Sequence, residues 1–188
     1  MIIVGIDEVG RGSLAGPLVA GAVVLDRPIR GLKDSKLLTR NQREKLDKTI
    51  RVKALALGLG WVGPSELDEI GLTAACRLAM SRALKQIICS YDEIIIDGNY
   101  NFLSSEPRVR TLIKADQLIP AVSAASIIAK VARDNFMIEL ASQYENYGFE
   151  KHAGYCTKAH LLSLNEFGPC AIHRKSFMPV KLLQEQLL

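Results

Sequence analysis

Met1-Ile2-Ile3-Val4-Gly5-Ile6-Asp7-Glu8 opens the chain. Its β-branched residues favour a strand over 1–6, and the run then delivers two adjacent carboxylates. Gly10-Arg11-Gly12-Ser13 follows as a turn-rich segment, and after Gly16-Pro17 a second apolar run over 18–25 predicts another strand. Strand, tight connection, strand sets the expectation of a sheet with acids at one end.

Working outward, residues 39–50 are polar and helix-prone, with Thr39 placed to cap the helix, and a third strand is expected over 53–61. Pro64-Ser65-Glu66 reads as a helix start. A longer helix over 73–86 groups Ala75, Leu78, Ala79, Arg82 and Ile87 on a face read mostly as core. Ile94-Ile95-Ile96 does not alternate, as expected of a strand buried on both faces. Asp97-Gly98-Asn99 lies at its C-terminal end, where open α/β sheets place ligands. A short strand over 111–113 leads into Lys114-Ala115-Asp116. A long helix follows over 120–144, whose Ala121, Ala124, Ala125 and Ala129 permit close packing on the sheet. A helix over 157–165 and an apolar stretch over 180–188, expected to dock as a helix, complete one α/β domain spanning 1–188.

The 188 residues, 48% hydrophobic and 23% charged, suffice for a full core. The apolar runs are too short to span a bilayer, which takes about 20 residues. No signal peptide is visible at the N-terminus, so the expectation is a cytoplasmic protein with no membrane partner. Cys76, Cys89, Cys156 and Cys170 form no Cys-x-x-Cys pair, which argues against zinc and disulfide frameworks and for reduced, mostly buried thiols. A net charge of +4 mildly favours a polyanionic partner.

If the acid-bearing strands are neighbours, Asp7, Glu8, Asp97 and Asp116 converge at one end of the sheet. Converging carboxylates are costly without protons or cations, and oxygen-only ligands suit magnesium or manganese. Two such ions can activate water and stabilise the leaving oxygen of a phosphodiester without a protein nucleophile. There is no Gly-x-Ser-x-Gly elbow, phosphate loop or dinucleotide fingerprint. His152, His160 and His173 read as surface or packing histidines. Gly10-Arg11-Gly12 is either a tight turn or a loop whose N–H groups approach a phosphate or sugar. Lys36, Lys114, Lys130, Arg133, Lys151, Lys158, Arg174 and Lys175 could fold into a basic groove, although each alone reads as a surface charge. Asp134 competes with Asp116 as the fourth acid, but its neighbour Arg133 offers it an ordinary ion pair, which favours Asp116.

Taken together, these blocks resemble the ribonuclease HII family over most of the chain. The resemblance rests on Gly5-Ile6-Asp7-Glu8-Val9-Gly10-Arg11-Gly12, Leu14-Ala15-Gly16-Pro17, Asp34-Ser35-Lys36, Ile96-Asp97-Gly98-Asn99 and Lys114-Ala115-Asp116. The run from Ser123 through Asp134, Gly154-Tyr155-Cys156-Thr157 and His173-Arg174-Lys175-Ser176-Phe177 extends it. Ser13 stands where that family commonly has proline, and Leu37 where a second lysine often follows.

The resemblance implies a ribonuclease H-like fold with a five-stranded mixed sheet flanked by helices. It implies a monomeric endonuclease cutting the RNA strand of RNA/DNA hybrids and cutting 5′ of ribonucleotides embedded in duplex DNA, leaving 3′-hydroxyl and 5′-phosphate ends. By the same resemblance Asp7, Glu8, Asp97 and Asp116 hold Mg2+ or Mn2+, two ions with substrate bound. Gly10, Arg11 and Gly12 grip the ribose 2′-hydroxyl and phosphates, Lys36 joins the substrate contacts, and Tyr155 packs on the sugar at the RNA to DNA junction. Another ribonuclease H-like nuclease, such as a junction resolvase, and a non-catalytic nucleic-acid-binding module are the rival readings.

Overall fold

The computed structural model describes residues 1–186. Its frame is a five-stranded sheet in the order β3-β2-β1-β4-β5. The strands are β1 (Ile3–Val9), β2 (Leu18–Leu25), β3 (Ala54–Val62), β4 (Glu93–Asp97) and β5 (Val109–Leu112). β1, β2 and β3 pair antiparallel, whereas β4 lies parallel to β1 and β5 parallel to β4. This is the α/β mixed sheet flanked by helices that the sequence led us to expect.

β1 runs further than its apolar residues suggested. Asp7, Glu8 and Val9 remain in the strand because β2 pairs with them throughout, Asp7 opposite Gly21 and Glu8 opposite Ala20. β5 likewise starts earlier than expected, at Val109, the residue paired with Ile94.

The helices are α1 (Arg40–Lys53), α2 (Pro64–Ile70), α3 (Leu72–Leu84), α4 (Ala115–Leu118), α5 (Pro120–Ala141), α6 (Phe149–His152), α7 (Lys158–Phe167) and α8 (Met178–Gln186). Thr39 caps α1 in a reciprocal box with Gln42, which satisfies two otherwise orphaned N–H groups. The apolar C-terminal stretch contributes α8, whose Val180 packs with Leu14 and Leu164; Leu187 and Leu188 lie outside the described residues. Among the described residues no helix is long and apolar enough to cross a membrane.

Two helices cover the two faces of the sheet. On one face Ala75, Ala79, Met80 and Ala83 of α3 pack on Val4, Ile6, Ile94 and Ile96. On the other, Ala124, Ala125, Ile127 and Ile128 of α5 pack on Val23. Arg82 does not belong to the core face of α3: its guanidinium reaches Glu66 with both Nη atoms, at 2.8 and 2.7 Å, and ties α3 to α2.

Both helices lie so close to the sheet that glycines must face them. A Cβ on Gly5 would strike the α5 backbone at Ala121 and Val122, and one on Gly60 would strike α3 at the Ala79 carbonyl and the Ala83 nitrogen. Side chains there would push helix and sheet apart and open the core that each helix seals.

Gly60→Ala is therefore expected to cost about 2 to 3 kcal/mol in urea unfolding, the overpacking penalty of a rigid backbone contact. Gly63→Ala, where a Cβ meets nothing within 4 Å, should change stability little. Equal stabilities for the two variants would refute the close-approach account.

Candidate active site

The parallel register of β1 and β4 brings the acids together. Ile6 pairs with Ile96, so the side chains of Asp7 and Asp97 emerge from the sheet at the same level, on the face covered by α5. Glu8 belongs by alternation to the opposite face, yet it lines the same cleft of about 410 Å³, with Gly10, Arg11, Gly12, Ser35, Lys36, Ser126, Lys130 and Tyr155.

The three cleft carboxylates are held differently. One oxygen of Asp97 accepts the Ala115 N–H at 2.8 Å, and one oxygen of Asp7 accepts the Glu8 N–H at 2.8 Å. Glu8 Oε1 faces the Arg11 guanidinium at 3.6 Å, while Oε2 is buried without a hydrogen-bond partner among the described residues.

Burial, with Glu8 and Asp97 beside it, pushes the Asp7 carboxyl well above the usual carboxylate range. Burial likewise raises Glu8, and Arg11 offsets part of the rise. Asp116, in the first turn of α4, is buried outside the cleft lining and is raised by burial and then by Asp97 and Asp34.

Among the described residues no three His, Cys, Asp or Glu side chains close on a single point as a ready-made cation cage. The donor set nonetheless fits a hard divalent ion. Magnesium takes one or two carboxylates and completes its shell with water and phosphate oxygens. An orphaned buried oxygen on Glu8 and a carboxyl on Asp7 that resists ionisation both gain from a cation.

Asp134, the competing acid, lies elsewhere. It binds Lys130 at 2.8 Å and faces Arg43 at 3.9 Å. Arg133 is not its ion-pair partner. Arg133 is fully buried and donates to the carbonyls of Pro17, Ala153 and Ala15 at 2.8, 2.9 and 3.1 Å.

Arg174 is also fully buried, donating from Nε to the Gly16 carbonyl at 3.0 Å and from Nη1 to the Arg11 carbonyl at 3.1 Å. Neither arginine belongs to the expected basic groove, whose cleft-lining members are Lys36 and Lys130. Lys114, Lys151, Lys158 and Lys175 are exposed but outside this lining.

The two arginines instead anchor the 10–17 loop. Gly10 has φ +85°, and a Cβ there would collide with Arg133, so the turn and the arginine beneath it require glycine. Gly12 differs: a Cβ would meet nothing within 4 Å, and the residue is exposed toward the cleft.

Tyr155 stands at the cleft wall with Lys130 Nζ and Arg133 Cζ each 5.2 Å from its ring centroid. Its backbone bridges to Ser13, tying it to the loop. The histidines, given no role by sequence, support it from behind. His160 Nδ1 lies 2.9 Å from the Tyr155 carbonyl, His160 Nε2 lies 3.0 Å from His173 Nε2, and His173 Nδ1 lies 3.0 Å from the Cys170 N–H.

One proton order satisfies this chain. Cys170 N–H donates to His173, His173 Nε2–H donates to His160, and His160 Nδ1–H donates to the carbonyl, so both rings are neutral. The two histidines sit 13 residues apart in sequence on separate segments, so spacing carried no signal. All four cysteines are free, and only Cys76 is buried while Cys156 is exposed, fewer buried thiols than expected.

A mixed sheet of this order with carboxylates on adjacent parallel strands is the arrangement that the resemblance to ribonucleases H implies. The ribonuclease HII family model matches residues 4–180. A ribonuclease HII of Nitrosococcus oceani is 48% identical over 185 residues, covering 97% of this chain and 92% of the relative. One of Shewanella loihica is 49% identical over 181 residues, covering 94% and 87%. The crystal structure of ribonuclease H2 from Pyrococcus horikoshii superposes with a TM-score of 0.84 at 30% identity, covering 99% of this chain and 98% of that one.

The chain belongs to the ribonuclease HII family, the type 2 ribonucleases H, and is an endonuclease acting on RNA/DNA.

Burial, with His160 beside it, lowers His173 to about 4, against about 6.5 unfolded. Between those values the unfolded chain binds a proton that the folded chain refuses, so stability falls as pH drops from 6.5 toward 4. The loss should be on the order of 2 kcal/mol in urea unfolding between pH 7 and 4.5. His173→Gln should lose less over the same interval, and an identical pH dependence in the variant would remove His173 from this account.

Proposed function

We propose that this enzyme recognises ribonucleotides embedded in duplex DNA as well as RNA/DNA hybrids, and cuts on the 5′ side of the ribonucleotide to leave 3′-hydroxyl and 5′-phosphate ends. The observation that carries the reading is the cleft itself: carboxylates of Asp7, Glu8 and Asp97 face a loop with exposed Gly12 and the ring of Tyr155. Carboxylates alone would serve any phosphate ester. A ribose-reading wall beside them narrows the substrate, because the 2′-hydroxyl is what separates RNA from DNA.

Asp7, Glu8 and Asp97 would hold Mg2+ or Mn2+, with Asp116 completing the acidic set. Bound divalent ions supply an activated water and charge neutralisation at the scissile phosphate. The chain's residues do the rest. Asp97 is oriented by the Ala115 N–H, so its second oxygen is free to face the cleft. Lys36 and Lys130 place positive charge along the lining for backbone phosphates, which gives affinity without sequence preference. Tyr155, stiffened by its histidine support, offers a flat face for a sugar.

A duplex carrying one ribonucleotide, incubated with magnesium or manganese beside an all-DNA duplex and a branched junction, tests the reading. Cleavage is expected at the ribonucleotide only and should stop on adding a chelator; an uncut ribonucleotide duplex, or preferred cleavage of the junction, refutes it. Asp97→Asn should lower turnover by more than about 100-fold while duplex binding stays within a few-fold, because a ligand is lost and the basic lining remains. Normal cleavage by that variant would remove Asp97 from the site.

A further inference from the structure

The 10–17 loop is gripped from beneath, and the grip has a direction. Arg174 Nη1 donates to the Arg11 carbonyl at 3.1 Å, and Nε donates to the Gly16 carbonyl at 3.0 Å. The peptide between Arg11 and Gly12 is planar and trans, so its N–H points opposite to its carbonyl. With the carbonyl turned inward onto a buried guanidinium, the Gly12 N–H is turned outward. On that side Gly12 is exposed, its Cβ position is open, and the residue lines the cleft.

We propose that Arg174 is a positioning residue for ribose recognition: by holding the Arg11 carbonyl inward it aims the Gly12 N–H at the substrate strand. The inference rests on the functional reading above, in which this loop reads the ribose. Arg174 suits the task better than a lysine would. Its planar fork reaches two carbonyls from one rigid group, whereas an ammonium is a point charge on a flexible stem.

The surroundings explain why the arginine stays in place. Its backbone N–H donates to the Leu14 carbonyl at 2.8 Å, and the Gly16 N–H donates to the Ile172 carbonyl at 2.9 Å, so the loop and the 172–174 segment are stitched together on either side of the guanidinium. Burial and neighbouring Arg133 lower Arg174 to about 9, which leaves it charged at neutral pH. The carbonyls of Arg11 and Gly16 are the oxygens that take up its charge. Loosening the fork would free the Arg11–Gly12 peptide to rotate, and the outward donor would lose its direction.

The test measures ribose preference, the ratio of affinities for a one-ribonucleotide duplex and an all-DNA duplex, in an Asp97→Asn background so that nothing is cut. Arg174→Lys keeps the charge and loses the fork. It should reduce the preference about tenfold while all-DNA affinity stays unchanged, since only a directed hydrogen bond is lost. Leu67→Ala, a core truncation in α2 away from the cleft, controls for stability and should leave the ratio intact.

An unchanged ratio in folded Arg174→Lys overturns the proposal. Absence of ribose preference in the Asp97→Asn parent overturns the functional reading instead. Should the lysine variant fail to fold, glycine-labelled protein decides. The Gly12 amide resonance, assigned by its loss in Gly12→Ala, should shift with the ribonucleotide duplex and not with all-DNA, and equal shifts overturn the proposal.

Discussion

Two guanidinium groups buried side by side, Arg133 from α5 and Arg174 from the segment before α8, govern how the rest of the chain meets the sheet. A buried charge is expensive unless it is saturated with hydrogen bonds. Here backbone carbonyls of Arg11, Ala15, Gly16, Pro17 and Ala153 take up five of the six guanidinium nitrogens, and Arg174 Nη2 is buried without a partner among the described residues. Each arginine thereby joins segments more than 110 residues apart in sequence, the 10–17 loop to α5 and to the C-terminal region. The arrangement is reciprocal. The loop carbonyls would be orphaned without the arginines, and the arginines would be unpaired without the loop. Removing one side exposes the other to the full desolvation cost.

The same economy appears in the packing of helix on sheet. Gly5 lets the α5 backbone touch β1 two residues before Asp7, and Gly21, opposite Asp7 on β2, meets the Ala125 carbonyl. Helix and acid are thus fixed to one another by backbone contact rather than by long side chains. Ser126, the next residue on α5, comes beside Asp7, and Lys130 one turn further reaches Tyr155. Gly5 and Gly21 are consequently part of the site's geometry although neither could touch a substrate.

Much of this was legible because the sequence wrote it as local pattern. β-branched runs marked β1, β2 and β4, a threonine marked the start of α1, and small residues marked the face of α5 against the sheet. Acids at strand ends were recognisable as a group because parallel strands deliver their C-terminal residues to one edge. What could not be read was partnership across long sequence distance. Arg133 and Arg174 looked like members of a basic groove, since a guanidinium with no nearby acid in sequence gives no hint that it will be buried against carbonyls. His160 and His173 gave no sign of a shared proton chain for the same reason: the link exists only once α7 and the following turn fold back on Tyr155. Asp134 does not pair with Arg133, because sequence adjacency on a helix does not make two side chains face one another. Lys130, one helical turn earlier, does.

Charge is divided across the loop in a way that gives the cleft its character. The hydrogen bonds that the two buried arginines make all go to carbonyls, and among the described residues neither forms an ion pair with the cleft acids. Arg11 is the cation that eases Glu8, from 3.6 Å and on an exposed side chain, and Asp7 remains raised by burial and by its acidic neighbours. The cleft therefore presents carboxylates from the sheet on one wall and, in the proposed reading, the outward Gly12 N–H of the loop on the other. A divalent ion relieves the first, and a sugar-phosphate strand satisfies the second. In the proposed reading a free phosphate alone does not answer both walls, since the carboxylates repel it. In the proposed reading a polyanionic strand arriving with divalent ions matches the two walls together, and the loop's share of that match depends on where the Arg11 carbonyl is pointed.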